Sequence, residues 1–289
     1  MPPLSSSPRR AAEVISHISR RLANARVERA RAEAELIVRA AAGLSTEELI
    51  RDPELLLSED HAGRCDEWAA RRVAREPLPY LVGRAEFYSR SFLVSPAAIV
   101  PRPETEILVE AAIERARRIG ATLAVDVGTG SGALAITLAY EVPGLAVVAT
   151  DISIAALCLA RRNIEHHEMN DRVLPVCCDL LAAVGRPVNC VVANLPYIAH
   201  DDFPQLDPEV RDYEPRIALD GGLDGLGMIR RLSAQLCDYL HRGGFAALEV
   251  GAGQAGEVAK LLLAAGLADV EVLRDYAGIE RVVIGWRRG

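Results

Sequence analysis

From residue 104 onward, short runs rich in Val, Ala and Ile alternate with stretches whose apolar residues recur at helical spacing. The pattern predicts helix 104–118, strand 122–127, helix 132–141, strand 145–150, helix 152–166, strands 173–177 and 187–193, helix 224–241, strand 244–250, helix 253–265 and strands 268–274 and 279–286. Strands separated by helices pair in parallel through crossovers, so the alternation dictates an α/β fold with a doubly wound, mostly parallel sheet. The last two strands have no helix between them, which makes them an antiparallel pair at one edge.

The first part of the chain is different in kind. Residues 1–75 read as helices only. AAEVISHISRRL and ARAEAELIVRAAAG carry helical-period apolar residues, the second stopping at Gly43, and Ser45 followed by Glu48 is a capping-box signature. These segments predict a small N-terminal helical bundle, suited to packing or partner docking, with nothing catalytic in it. Residues 76–103 contain several prolines, aromatics and turn signals and read as a hairpin linker. Residues 104–289 form the α/β domain.

With half of 289 residues hydrophobic, the chain can bury a sizeable core. No run approaches the roughly 20 apolar residues needed to span a bilayer, and MPPLSSSPRR lacks the apolar core of a secretory signal, so a cytoplasmic location and no membrane partner are expected. Six cysteines without a CxxC pair and six scattered histidines argue against a zinc site or disulfide frame. No metal is expected, and the thiols are expected to be reduced and mostly buried, with Cys177 and Cys178 on opposite faces of a strand. The net charge of −7, concentrated after residue 85, speaks against a broad electrostatic grip on phosphate backbones.

In LAVDVGTGSGALAITLA the first strand runs into Gly128, Thr129, Gly130, Ser131 and Gly132 and then into a helix. Ligands of open parallel sheets bind beyond the carboxyl ends of the strands, where glycine allows close approach to the backbone. Asp151, 19 residues after Gly132, ends the second strand, where its carboxylate can accept from both ribose hydroxyls. A nucleotide-like ligand is therefore indicated. A nicotinamide cofactor stays open, but the spacing is GxGxG rather than GxGxxG, and Asp126 at the end of the first strand suits a cationic ligand such as S-adenosylmethionine. Asp179, closing the third strand in PVCCDL, is placed to reach the adenine edge.

The fourth strand ends in Asn194, Leu195, Pro196 and Tyr197. This resembles the [N/D]-P-P-[Y/F] motif of methyltransferases acting on planar amide or exocyclic amine nitrogens. Such a nitrogen delocalises its lone pair and must be held for attack. The Asn194 side-chain oxygen and the next residue's carbonyl can each accept one N–H, and Tyr197 can offer a ring face. Leu195 departs from the motif but keeps its carbonyl, and Pro196 biases it toward an extended conformation.

REPLPYLVGRAEFYS, SPAAIVPRPETE, VDVGTGSGALAITLA, ATDIS, NLPYI, VRDYEPRIALDGGLDGL and FAALEVGAGQ occur in order over most of the chain. Together they resemble the release factor glutamine methyltransferase family, HemK/PrmC. The resemblance implies a class I S-adenosylmethionine-dependent fold. It also implies N5-methylation of the glutamine in the Gly-Gly-Gln loop of peptide chain release factors, with the helical domain docking that partner. It places Gly128 to Gly132, Asp151, Asp179 and Leu180 at the donor, and Asn194, Leu195, Pro196 and Tyr197 at the glutamine. IVPRPETE would cover the pocket, with Phe87, Pro101, Arg102 and Glu106 as further candidates; for Arg102 a structural ion pair is the competing reading. Glu214 and Pro215 would belong to a closing loop or a structural turn. A nucleic-acid amine methyltransferase acting on adenine N6 is the rival activity, but no target-recognition domain or basic surface is visible, so a nucleic-acid partner is not expected. A non-catalytic S-adenosylmethionine-binding module is the other alternative, with Leu195 in its favour.

Overall fold

The computed structural model describes residues 9–52 and 54–289. The described chain falls into two compact units, one of residues 9–83 with 208–213, the other of residues 84–207 with 214–289. The boundary therefore lies near residue 83 rather than 75, and the helical unit recruits a distant six-residue segment that no local signal in the sequence announces.

In the helical unit, β1 (Arg9–Arg10), α1 (Ala11–Asn24), α2 (Ala30–Ala42), α3 (Thr46–Arg51), β2 (Leu56–Leu57), α4 (Glu59–Val73) and α5 (Leu78–Val82) occur in order. Gly43 ends α2 in the left-handed region, and the Ser45–Glu48 capping box opens α3, as the sequence predicts. α5 occupies part of the stretch expected to be a hairpin linker. The core is Ile18, Leu22, Ile37, Val38 and their neighbours. Arg72 is buried and satisfied by Glu33 at 2.6 Å and by Glu209, from the distant segment, at 3.0 Å. The Tyr213 hydroxyl adds a 2.7 Å bond to the Ala74 carbonyl.

The second unit opens with the hairpin β3 (Arg84–Phe87) and β4 (Arg90–Leu93). It continues with α6 (Thr105–Arg118), β5 (Leu123–Val127), α7 (Ala133–Glu141), β6 (Ala146–Asp151), α8 (Ile154–His166), β7 (Val173–Cys177) and β8 (Val188–Ala193). After α9 (Pro208–Tyr213), which belongs to the helical unit, come α10 (Gly227–Ser233), α11 (Leu236–Tyr239), β9 (Leu240–Glu249), α12 (Ala255–Ala264), β10 (Leu267–Arg274) and β11 (Glu280–Arg287). The seven-stranded sheet has the order β10-β11-β9-β8-β5-β6-β7, parallel except for β11, which is antiparallel to both β9 and β10. Alternate residues of the central strands feed two cores: Ala124, Cys190 and Val192 on one side, Val125, Val191 and Ala193 on the other. Both faces are covered, as a parallel sheet requires.

The helix expected over 224–241 is broken. α10 ends at Ser233, whose hydroxyl donates back to the Ile229 carbonyl, a bond that competes with helix continuation. Leu240 is instead taken into β9 opposite Val188. The expectation of mostly buried thiols also fails: among the described cysteines only Cys65 and Cys190 are buried, Cys158 and Cys177 are exposed, and Cys178 lies past the end of β7. None of the helices is long and apolar enough to cross a membrane among the described residues.

Candidate active site

β5 connects onward to β6 and β7 on one side, while β8 and β9 lie on the other. The sheet reverses its strand order between β5 and β8, the place where doubly wound sheets bind ligands. Val127 pairs with Ala193 across this point, so the glycine loop after β5 and the Asn194 segment after β8 emerge side by side. Between them lies a cavity of about 380 Å³, within the range of small-ligand pockets.

One wall carries residues that the sequence reading assigns to the donor. Gly128, Gly130, Asp151, Asp179 and Leu180 line the cavity. The Asp151 carboxylate accepts from the Gly130 N–H at 2.9 Å and the Ser153 N–H at 2.8 Å, so it anchors the loop while facing the ligand space. Gly128 and Gly130 have φ of +74° and +57°, and a side chain at Gly128 would meet the Leu195 side chain at 3.1 Å. Leu180 is held at φ +50°, strained backbone at the cavity wall. Asp179 differs from expectation: it stands two residues past β7 and accepts from Arg231 at 2.5 Å.

The other residues of the glycine motif serve the loop rather than the cavity. Asp126 is buried beneath it, where one oxygen accepts from the Thr129 hydroxyl at 2.6 Å and the Ala135 N–H at 3.2 Å. Burial pushes its carboxyl up to about 7, against the pull of those two donors. The structure thus gives Asp126 the job of fastening the loop instead of facing a cation. Thr129 and Ser131 are buried, and Gly132 lets α8 approach, since a side chain there would press on Ala160 at 3.3 Å. Asn163 of α8, unmarked in the sequence, donates to the Ser131 and Leu93 carbonyls and accepts from the Leu93 N–H, tying loop and hairpin together.

The opposite wall is Asn194, Leu195 and Pro196, with Ile99, Arg216, Ile217 and Met228 nearby in the lining. Asn194 Nδ2 donates to the Thr105 hydroxyl at 3.0 Å. Tyr197 is not in the cavity wall; its ring packs on the second core and Gly251, and burial raises its phenol to about 12. Its carbonyl accepts from Gln254 Nε2 at 2.9 Å. Gly225 is indispensable beside it: a Cβ there would lie 2.3 Å from that carbonyl. Thr105, Glu249 and Gln254 carry no mark of a site residue in the sequence, although EVGAGQ is visible as a segment.

Of the further candidates, Arg102 and Glu214 come together at 2.6 Å, joining the IVPRPETE segment to the loop after β8. Phe87 is buried against Phe92 in the core, and Glu106 accepts from the Tyr88 N–H at 2.8 Å in the hairpin turn. Neither these two nor Pro101 lines the cavity, whereas Ala97, Ala98 and Ile99 do.

A doubly wound sheet with a glycine loop, a carboxylate at the end of the next strand and an asparagine-leucine-proline turn at its switch point defines a methyltransferase of the nucleotide-binding α/β class. Residues 13–83 match the PrmC N-terminal domain family and residues 103–206 the methyltransferase small domain family. The release factor glutamine methyltransferase of Bradyrhizobium diazoefficiens is 41% identical over 92% of this chain and 91% of its own. That of Moorella thermoacetica is 41% identical over 96% and 98%. A methyltransferase from Pyrococcus furiosus superposes with a TM-score of 0.55 at 20% identity, covering 70% of this chain and 91% of that one, a likeness of fold alone. The chain belongs to the release factor glutamine methyltransferase family.

Proposed function

We propose that the protein transfers a methyl group from S-adenosylmethionine to the side-chain nitrogen of the glutamine in the Gly-Gly-Gln loop of peptide chain release factors. The observation that carries this reading is the adjacency of the two walls: a donor pocket with Asp151 at its rim opens directly onto Asn194 and Leu195. The residues present fit the donor. Gly128 and Gly130 leave the wall open to it, and each Asp151 oxygen keeps a lone pair for a ribose hydroxyl beyond its backbone bond. The donor supplies a methyl group on a sulfonium sulfur.

What this chain contributes is orientation. The glutamine nitrogen is a poor nucleophile while its lone pair is conjugated with the carbonyl. Asn194 Oδ1 and the Leu195 carbonyl each accept one of its N–H bonds, turning the lone pair toward the methyl carbon and polarising the proton that leaves. Arg102 and Glu214 hold the flanking segments together around this place. The helical unit supplies contact with the body of the release factor, remote binding energy that a peptide lacks.

Mass spectrometry of a release factor incubated with enzyme and donor tests the activity: a gain of one methyl on the Gly-Gly-Gln glutamine is expected. Modification of adenine in DNA or RNA with none on the release factor overturns it. For docking, deleting the helical unit is a poor probe, because Glu209 and Tyr213 bond to Arg72 and Ala74. Substituting its exposed Ile50 and Leu36 with Asp should instead lower kcat/KM for the whole factor while leaving a Gly-Gly-Gln peptide unchanged. An equal effect on both substrates removes the docking role.

A further inference from the structure

The two ends of the Asn194 carboxamide are alike in shape and opposite in chemistry: Oδ1 accepts and Nδ2 donates. The proposed methyl transfer needs Oδ1 turned toward the acceptor nitrogen, and the role assigned here to Glu249 rests on that reading. Thr105 alone cannot enforce this orientation. Its hydroxyl accepts from Nδ2 at 3.0 Å, but a hydroxyl can equally donate, so it would suit either end of a flipped amide.

Glu249 is not ambivalent in that way. It is the last residue of β9, 2% exposed, and comes directly after Leu248, which pairs with Ala193. Glu249 and Asn194 therefore leave the sheet as neighbours. The Thr105 hydroxyl and the Asn194 amide, bonded to each other at 3.0 Å, both lie close enough to the Glu249 carboxylate to hold its pKa down. Its Oε2 is buried and makes no hydrogen bond. A buried carboxylate with an idle oxygen is a costly way to fill space that an apolar side chain would fill better, which points to a use other than packing.

We propose that Glu249 is a positioning residue for methyl transfer: together with Thr105, its carboxylate keeps the nitrogen end of Asn194 inward and so turns Oδ1 to the acceptor. Neither Glu249 nor Thr105 lines the cavity, so both act through Asn194. An ionised carboxylate only accepts, so a flipped Asn194 would set Oδ1 against it. A protonated Glu249 carries an O–H that can donate to Oδ1, and the flipped amide becomes tolerable.

The groups facing Glu249 decide where that change falls. Burial raises its carboxyl to about 7; Thr105 and Asn194 as donors and the Arg281 guanidinium of β11 pull it down, and Glu104, just before α6, pushes it up. Arg281 is itself paired with Asp275 at 2.9 Å, and Tyr197 adds a phenol that stays neutral here. The orienting effect is therefore present above neutrality and lost as the pH falls below it.

The test uses the full-length enzyme, an unmodified release factor and S-adenosylhomocysteine as the donor-site probe. Glu249→Gln, whose amide can donate or accept, should lower kcat about tenfold while affinity for S-adenosylhomocysteine by calorimetry stays within about twofold. The wild-type kcat should fall on the acid side of about pH 7, and this limb should vanish in Glu249→Gln. Thr105→Val should reproduce the loss and Thr105→Ser should restore it. An unchanged kcat, or an acid limb that persists in Glu249→Gln, overturns the proposal. If Glu249→Gln does not fold, a wild-type kcat in Thr105→Val overturns it instead. A readout independent of the acceptor is the Asn194 side-chain amide resonance, which should shift with pH near neutrality in the wild type and stay fixed in Glu249→Gln. Should no release factor be methylated at all, that resonance still decides the orientation, and a pH-invariant signal in the wild type rejects it.

Discussion

The two walls of the cavity are built by opposite means. The donor wall is fastened by nearer partners: Asp126 takes the Thr129 hydroxyl three residues on, Asp151 takes the Ser153 N–H two residues on and the Gly130 N–H 21 positions back, and Asn163 takes hold of the Ser131 carbonyl 32 positions back. The acceptor wall is fastened from afar. Asn194 rests on Thr105, 89 positions earlier, with Glu249 behind both, and Tyr197 is held by Gln254, 57 positions later. Under the proposed function, a donor presents the same shape every time and nearby partners would suffice for it, whereas aiming a nitrogen at a methyl carbon demands tighter placement, which side chains from separate elements of a rigid core would supply.

The comparison breaks first at Asn194. If the acceptor wall only orients the nitrogen, Asn194→Ala should lower the methyl-transfer rate about 100-fold or more and leave donor affinity nearly intact. Single-turnover rates set beside calorimetric titration of the donor separate the two effects. Equal loss of both would mean that the walls are one structural unit.

Asp151→Ala makes the converse demand on the donor wall. Removing a carboxylate that bonds the loop, and that the proposed function sets against the donor ribose, should weaken donor binding by about 1.5–3 kcal/mol, the usual worth of hydrogen bonds to a charged group. The rate at saturating donor should change far less. Unchanged donor affinity would take Asp151 out of the site.

The motifs of both walls were legible because they sit at strand ends: GTGSG and the acid after the second strand on the donor wall and NLPY on the acceptor wall can all be read within a few residues of a predicted strand end. Their reading erred where burial decides: Asp126 looked like a ligand carboxylate and lies under the loop. Thr105, Glu249, Asn163 and Gln254 carry no local signal, since each matters only through a partner that the fold brings up. The helical unit shows the same limit, with Glu209 recruited by Arg72 across 137 positions. Strand boundaries, by contrast, were mostly recovered, because a parallel sheet covered on both faces writes itself as continuous apolar runs.

Each wall also hides one carboxylate, Asp126 or Glu249, both raised by burial to about 7. A carboxyl raised on folding contributes stability that is complete below its ordinary range and is lost as the pH rises through the folded value. Unfolding free energy should therefore decline between about pH 4 and 7, by on the order of 3 kcal/mol for each group. Denaturant titrations should show Asp126→Asn and Glu249→Gln each flattening that decline. Only Glu249→Gln should also alter the pH dependence of kcat, because Asp126 touches nothing on the acceptor side. A matching change in Asp126→Asn would erase the distinction between the walls.

The smallest effect is expected where the walls touch. Leu195 stands where related motifs carry proline, and its side chain lies over Gly128, at 3.1 Å from where a Cβ on that glycine would be. It is 4% exposed, so it is packed rather than free. Leu195→Pro keeps the carbonyl proposed to accept from the glutamine nitrogen and fixes φ near about −65°, while it removes part of the apolar contact with the glycine loop. The gain in rigidity and the loss of packing oppose each other, and turnover should stay within about tenfold of the wild type. Donor affinity should move by less than that, since Asp151 and the loop's own hydrogen bonds are untouched. A larger fall in kcat with donor binding intact would show that Leu195 aims Asn194 through its backbone. A larger fall in donor affinity would show that the donor wall depends on the acceptor wall after all, and that the local fastening of the glycine loop is not enough to hold it.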